Sequence, residues 1–219
     1  MSEERKQYGP IRLLNIECEQ PYDWEICDAT HLRVCLPAGY QNEREMLDQG
    51  FFFADRVINA SINLMRSNID YKSMVRIQPQ ISLDKREEVL TIAQQSFPTD
   101  RRFHLSYEPD RSISDLVLTQ WVGELSEYYL CEYKGAVIGF LALTGDEQQR
   151  FVHLAAVQER YRTSGAGLSL YAAAAQDCKK MGIRFLNGCI STTNTAVMNL
   201  YAHLGASFSN PRDIYLKEV

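Results

Sequence analysis

The chain has 219 residues, 45% of them hydrophobic and 23% charged, a composition that suits one large folded unit or two small ones sharing a core. A formal net charge of −5 argues against nucleic-acid partners, which are held largely by neutralising phosphates. No apolar run is long enough to span a bilayer, and the opening MSEERKQYGP lacks a leader's apolar stretch, so a cytoplasmic location with no membrane partner is expected.

In chain order, residues 11–18 (IRLLNIEC) and 31–36 (HLRVCL) alternate as strands. QNEREMLDQG predicts a helix stopped by Gly50, and alternation resumes through Leu64, giving a small βαβ-like unit. Residues 65–74 are polar, weakly patterned and linker-like. Val75–Gln78 predicts a short strand, Asp84–Ser96 a helix halted by Phe97-Pro98, and Ser114–Ser126 a helix capped by Ser114. YYLCEYKGAVIGFLALT predicts a hairpin around Lys134-Gly135, with exposed strands compatible with a homodimer. RFVHLAAV is another strand, Gly165–Met181 a helix, RFLNGCI a strand, Asn194–Leu204 a helix and Ile214–Lys217 a last strand. The order predicts a mixed α/β fold with a largely buried sheet, and a right-handed parallel crossover from Phe151 to Ile190.

The six cysteines form no CxxC pair and read as reduced small hydrophobes; the four histidines show no metal-ligand spacing, so no metal is expected. The segment between Arg162 and Gly167 is more informative. Gly165 and Gly167 let backbone N–H groups approach a ligand where a helix begins and its first amides lack internal partners. The helix dipole adds about 0.3–1 kcal/mol for an exposed anion and roughly 2 when partly buried. The loop therefore suits a phosphate, although glycines also open helices as plain turn residues.

RTSGAG fits neither the dinucleotide fingerprint nor the P-loop. It matches R/Q-x-x-G-x-G/A directly after a strand ending LAAV, and so resembles the signature of the GNAT superfamily of acyl-CoA-dependent N-acetyltransferases. The resemblance extends to STTNTAVMNLYAHLGASF, similar to the family's N-x-x-A-x-x-x-Y segment. It implies a GNAT-like mixed central sheet flanked by helices over residues 75–219, preceded by a partial GNAT-like unit over residues 1–74. It further implies acetyl-CoA as cosubstrate, with pantetheine along Ala155, Ala156 and Val157. The pyrophosphate would lie on Arg162, Thr163, Ser164, Gly165, Ala166 and Gly167, with Asn194 contacting CoA and Tyr201 as proton donor. Thr163 and Ser164 replace the usual Gly and Lys/Arg, leaving fewer cations near the phosphates.

Asn194 also suits a helix N-cap, and Tyr201 a core aromatic. With ordinary pKa values of about 8.5 for a thiol and 10 for tyrosine, full proton transfer from Tyr201 is uphill by roughly 2 kcal/mol. His153 occupies a place where relatives often carry a glutamate relay. An ordinary pKa of about 6.5 suits it as a base, and alternation places it on the face of Ala155 and Val157; the alternative is a structural strand histidine. Arg162 suits a CoA phosphate. Lys179 and Lys180 read as solvated helix-end charges, and Trp24 and Trp121 as acceptor-pocket or structural aromatics. The expected acceptor is a small primary amine, a nucleotide-linked amino sugar among them, as in dTDP-fucosamine acetyltransferases. An amino acid, a polyamine, a protein N-terminus or a non-catalytic acyl-CoA-binding module are the alternatives.

Overall fold

A computed structural model describes residues 1–21, 28–67, 69, 76–79, 83–97, 100–108 and 110–219. The chain runs β1 Ser2–Tyr8, β2 Ile11–Glu17, β3 His31–Pro37, α1 Tyr40–Asp48, β4 Phe52–Asn63, β5 Arg76–Gln78, α2 Leu83–Ser96 and α3 Arg111–Glu124. It continues β6 Glu127–Tyr133, β7 Ala136–Gly145, β8 Gln149–Val157, α4 Ala166–Lys180, β9 Phe185–Ser191, α5 Thr195–His203 and β10 Ser207–Glu218. The described strands join one mixed sheet in the order β1-β2-β3-β10-β4-β9-β8-β7-β6-β5. β2/β3 and β8/β9 are parallel, so the crossover through α4 has the expected direction. The 74/75 boundary and most of the expected linker lie outside the described residues.

Local chemistry explains most of these elements. The Lys134-Gly135 turn has φ of 51° and 81°, the left-handed pair that matches hairpin twist. Along α4, Ala166, Leu170, Ala174 and Cys178 recur at every fourth residue and are buried, and the alanines let the helix lie close on β6, β7 and β8. Three expectations change. The third helix is capped four residues before Ser114: it begins at Arg111, the Asp110 carboxylate accepts the Ser112 N–H at 2.8 Å, and buried Ser114 donates to the Arg111 carbonyl at 3.0 Å from inside the helix. The hairpin strands β6 and β7 are mostly buried rather than exposed, because helices cover both faces. The last strand is twelve residues long, with a register shift where Asn210 takes a φ of 52° before Pro211. The described cysteines are free thiols, and Cys27 falls outside the described residues.

Two core layers sandwich the sheet. Val89, Ile92, Phe103, Val117, Leu118 and Phe140 pack beneath α2 and α3. Leu141, Val152, Leu170, Ala174, Leu186 and Tyr201 pack beneath α4 and α5. A smaller cluster around Met46 joins α1 to β2, β3 and Tyr215. β4 lies between β9 and β10, so residues 52–63 are held on both sides by strands that follow residue 184.

Candidate active site

The parallel strands β8 and β9 pair only at their beginnings, from Gln149↔Phe185 to Val152↔Gly188. β8 then runs on to Val157 and β9 to Ser191 as the two diverge. The other edge of β8 stays paired with β7 as far as Val157, and the outer edge of β9 stays paired with β4. A fork thus opens inside the sheet, and over residues 153–157 one strand edge has backbone groups with no neighbouring strand. Buried backbone polar groups are rarely left so, and an extended amide-bearing ligand is one way to satisfy them.

Tyr201 stands at the base of this fork. It projects from α5, is 1% exposed, and places its hydroxyl directly over Gly188, where a Cβ would overlap the oxygen and lie 3.0 Å from Cζ. The glycine in LNGCI is therefore the space the phenol occupies. Tyr171 of α4 meets Tyr201 edge-on, ring centroids 5.2 Å apart. Burial, with Tyr171 as the second cause, raises the Tyr201 hydroxyl well above its ordinary value, and burial lifts Tyr171 to about 12. A proton held that firmly makes full transfer to a thiolate costlier than ordinary pKa values imply, and favours a donated hydrogen bond. Asn194 caps α5, its side-chain oxygen accepting the Val197 N–H at 3.2 Å, and borders the same small cavity of about 50 Å³.

His153 also borders that cavity, from the face opposite to the one alternation predicts. Ala142 and Leu143 of β7 pair with Leu154 and Val152, which leaves His153 as the extra residue of a bulge. The bulge resets the alternation: Ala155 and Val157 pack with the α4/α5 layer, while the His153 ring lies 6.4 Å from Trp121 and 5.1 Å from Phe151. Its Nε2 is hydrogen-bonded to Thr144 Oγ1 at 2.7 Å. Burial, helped by the charge of Lys6, lowers the imidazole pKa, so the ring is neutral near pH 7 and can accept a proton. Trp121 packs against Phe103 at 5.2 Å in the core beneath α3, and Trp24 lies outside the described residues.

Beyond β8 the chain makes a short 3₁₀ turn, Glu159–Tyr161, and enters α4 through Gly165 at φ 82°, a left-handed conformation that glycine adopts without strain. No side chain caps the helix, and the amides of Ala166, Gly167 and Leu168 have no acceptor one turn earlier. A Cβ on Gly167 would make only ordinary contacts with Leu200 and Val157, so the fold itself does not demand glycine there. Arg162 donates from Nε to the Val157 carbonyl at 3.3 Å, bridging the loop to the open end of β8. Thr163 and Ser164 are exposed, and Ser164 Oγ donates to the Tyr161 carbonyl. Lys179 and Lys180 bind the Ser67 carbonyl and Asp177, away from this loop.

A family model described as "Acetyltransferase (GNAT) family" matches residues 86–206, more than half of the chain. The chain belongs to the GNAT acetyltransferase family. Solved structures agree in fold. A functionally unknown conserved protein from Staphylococcus epidermidis superposes with a TM-score of 0.69 at 14% identity, over 87% of this chain and 73% of its own. A GCN5-related N-acetyltransferase from Sphaerobacter thermophilus gives 0.62 at 14%, over 86% and 59%. One from Kribbella flavida gives 0.57 at 16%, over 85% and 68%. No curated protein matches the sequence.

The GNAT fork opens away from the α4/α5 layer toward a broader groove of about 680 Å³. Phe97, Asp100, Ser191 and Asn194 line both spaces, so the two are continuous. Burial alone would raise the Asp100 carboxyl, but the Arg102 guanidinium, 2.7 Å away, holds it below the ordinary carboxylate range. Asp213 takes two hydrogen bonds from Arg56, at 2.5 and 2.9 Å. This wall and Tyr171 escape the sequence motifs. The wall is assembled from β4, β10 and the α2–α3 connection, and Tyr171 hides within the alanine-rich stretch LSLYAAAA.

Proposed function

We propose that this acetyltransferase moves the acetyl group of acetyl-CoA to a primary amine of a small molecule. The observation that carries the reading is the placement of the Tyr201 hydroxyl at the point where β8 and β9 part, beside a strand edge without a neighbour. The residues fit the cosubstrate. The open edge of Ala155–Val157 offers backbone groups to the amides of pantetheine, and the uncapped start of α4 behind Gly165 offers N–H groups to a pyrophosphate. Bound acetyl-CoA supplies a thioester with a polarisable carbonyl. Neutral His153 takes the proton lost by the amine as the N–C bond forms. Tyr201 donates a hydrogen bond to the sulfur as the C–S bond breaks, and the departing thiolate takes its proton from solvent. Assistance of this kind is worth typically 10²- to 10⁴-fold.

Charge in the groove supports a cationic acceptor over a nucleotide-linked amino sugar. Glu43, Asp55, Asp100 and Asp213 line it against only Arg56 and Arg101. Arg56 is bound to Asp213, and Arg101 donates to the Ser106 and Tyr107 carbonyls, so neither is idle for a diphosphate. A polyamine-like acceptor would meet favourable potential at Asp55 and Glu43, the groove carboxylates that no described cation pairs.

The test is CoA thiol release over an amine panel, in wild type and Tyr201→Phe. We expect the variant to lose at least tenfold in turnover while acetyl-CoA still raises its melting temperature. Equal turnover in the two proteins would remove Tyr201 from the chemistry.

A further inference from the structure

We infer that Asp55 anchors a second cationic group of the acceptor, so that the substrate is a linear di- or polyamine whose far ammonium sits on Asp55 while its near amine is acetylated beside Tyr201. This rests on the amine-transfer reading above and adds a specificity determinant from a part of the chain that the family match over residues 86–206 does not include.

Asp55 lies on β4 in the wall of the groove, half-buried. Its Oδ1 accepts two hydrogen bonds, from Ser191 Oγ and from the Arg56 amide, each at 2.8 Å. Those bonds fix the carboxylate against the end of β9. The other oxygen, Oδ2, has no hydrogen-bond partner among the described residues, yet it is not among the side-chain atoms sealed from solvent. Of the remaining groove carboxylates, Asp213 is taken by Arg56, Asp100 by Arg102, and Glu43 is exposed on α1. Asp55 is thus the half-buried groove carboxylate with a fixed orientation, a free oxygen and no ion-pair partner among the described residues. Burial raises its carboxyl above the ordinary value, partly offset by the Ser191 and Arg56 hydrogen bonds, and a bound ammonium would restore the lost solvation of the anion.

Geometry sets the spacing. Gly188, under the Tyr201 hydroxyl, and Ser191, bonded to Asp55, are three residues apart on β9, or about 10 Å at roughly 3.3 Å per residue. Three positions along a strand also reverse the face, so the carboxylate stands across the fork from the Tyr201 hydroxyl, apart from the reacting nitrogen and open to a second charge on an extended chain that passes through it. In the transfer the near amine forms the new N–C bond and loses its proton, the thioester C–S bond breaks, and the far ammonium stays protonated.

The experiment measures kcat/KM by CoA thiol release for ethylenediamine, putrescine, hexamethylenediamine and octamethylenediamine, each beside the monoamine of equal length. Wild type should prefer the long diamines over their monoamines at least tenfold, and the short diamines little. Asp55→Asn should erase most of that preference and Asp55→Glu should retain part of it, with acetyl-CoA still raising the melting temperature of both. If wild type acetylates long diamines and monoamines equally, or Asp55→Asn keeps the preference, the anchor is wrong and amine transfer stands. If no amine in either series is acetylated although acetyl-CoA binds, the linear-diamine assignment falls, and amine transfer falls with it only if the wider amine panel is also inert.

Discussion

The two edges of β9 behave differently. Toward β4, every residue from Phe185 to Ser191 has a partner; toward β8, pairing ends at Gly188. The β4 side is also stitched by a side chain, Ser61 Oγ donating to Asn187 Oδ1 at 2.7 Å. On the open side an aromatic hydroxyl lies over Gly188, the last residue of β9 that β8 pairs. One strand therefore serves as scaffold along one edge and as reaction surface along the other. An interior gap in a sheet forgoes backbone hydrogen bonds worth about 0.5–1.5 kcal/mol each, so its retention points to a use outside stability.

The largest disturbance expected comes from closing the base of the gap. Gly188→Ala puts a methyl where the Tyr201 oxygen sits, and should cost about 1–3 kcal/mol in denaturant unfolding and at least a hundredfold in turnover. A fully active, equally stable variant would mean the phenol has room to move and is not positioned there. Next comes pH. With the His153 pKa depressed by burial and by Lys6, the neutral base prevails at and above pH 7. The rate should show a rising limb with a midpoint below 6.5, followed by the further rise that deprotonation of the acceptor amine brings, and His153→Gln should be slower and lack the first limb. An identical profile in the variant would assign the proton to water. The smallest effect belongs to the paired edge: Ser61→Ala should lower stability by about 1 kcal/mol, read as a modest fall in melting temperature, and leave turnover unaltered. Lost activity there would show that the two edges are not independent.

Much of this architecture can be read along the chain, because strand β8, its glycine loop and α4 are contiguous and their pattern is local. The Asn194 to Tyr201 spacing is legible for the same reason: seven residues of helix set both on one side. What alternation cannot reveal is the bulge at His153, since one extra residue leaves the string of letters unchanged while reversing the side chain's face. β1 is equally silent. SEERKQY is exposed along most of its length as an edge strand, so no apolar period betrays it, and its charges suit an edge that must not recruit further strands. The acceptor groove is hidden for a different reason. Asp55, Asp100, Ser191 and Asp213 come from four distant stretches, and only the register of β4 against β9 and β10 gathers them.

That register bears on how the molecule comes into being. β4 is synthesised early, yet both strands that flank it lie more than a hundred residues downstream. Until residues 185–218 have left the ribosome, the middle of the sheet has nothing to close on, and the chain must wait with an apolar ribbon unpartnered. Contacts of such long sequence separation slow folding, so assembly of the groove should trail translation rather than accompany it.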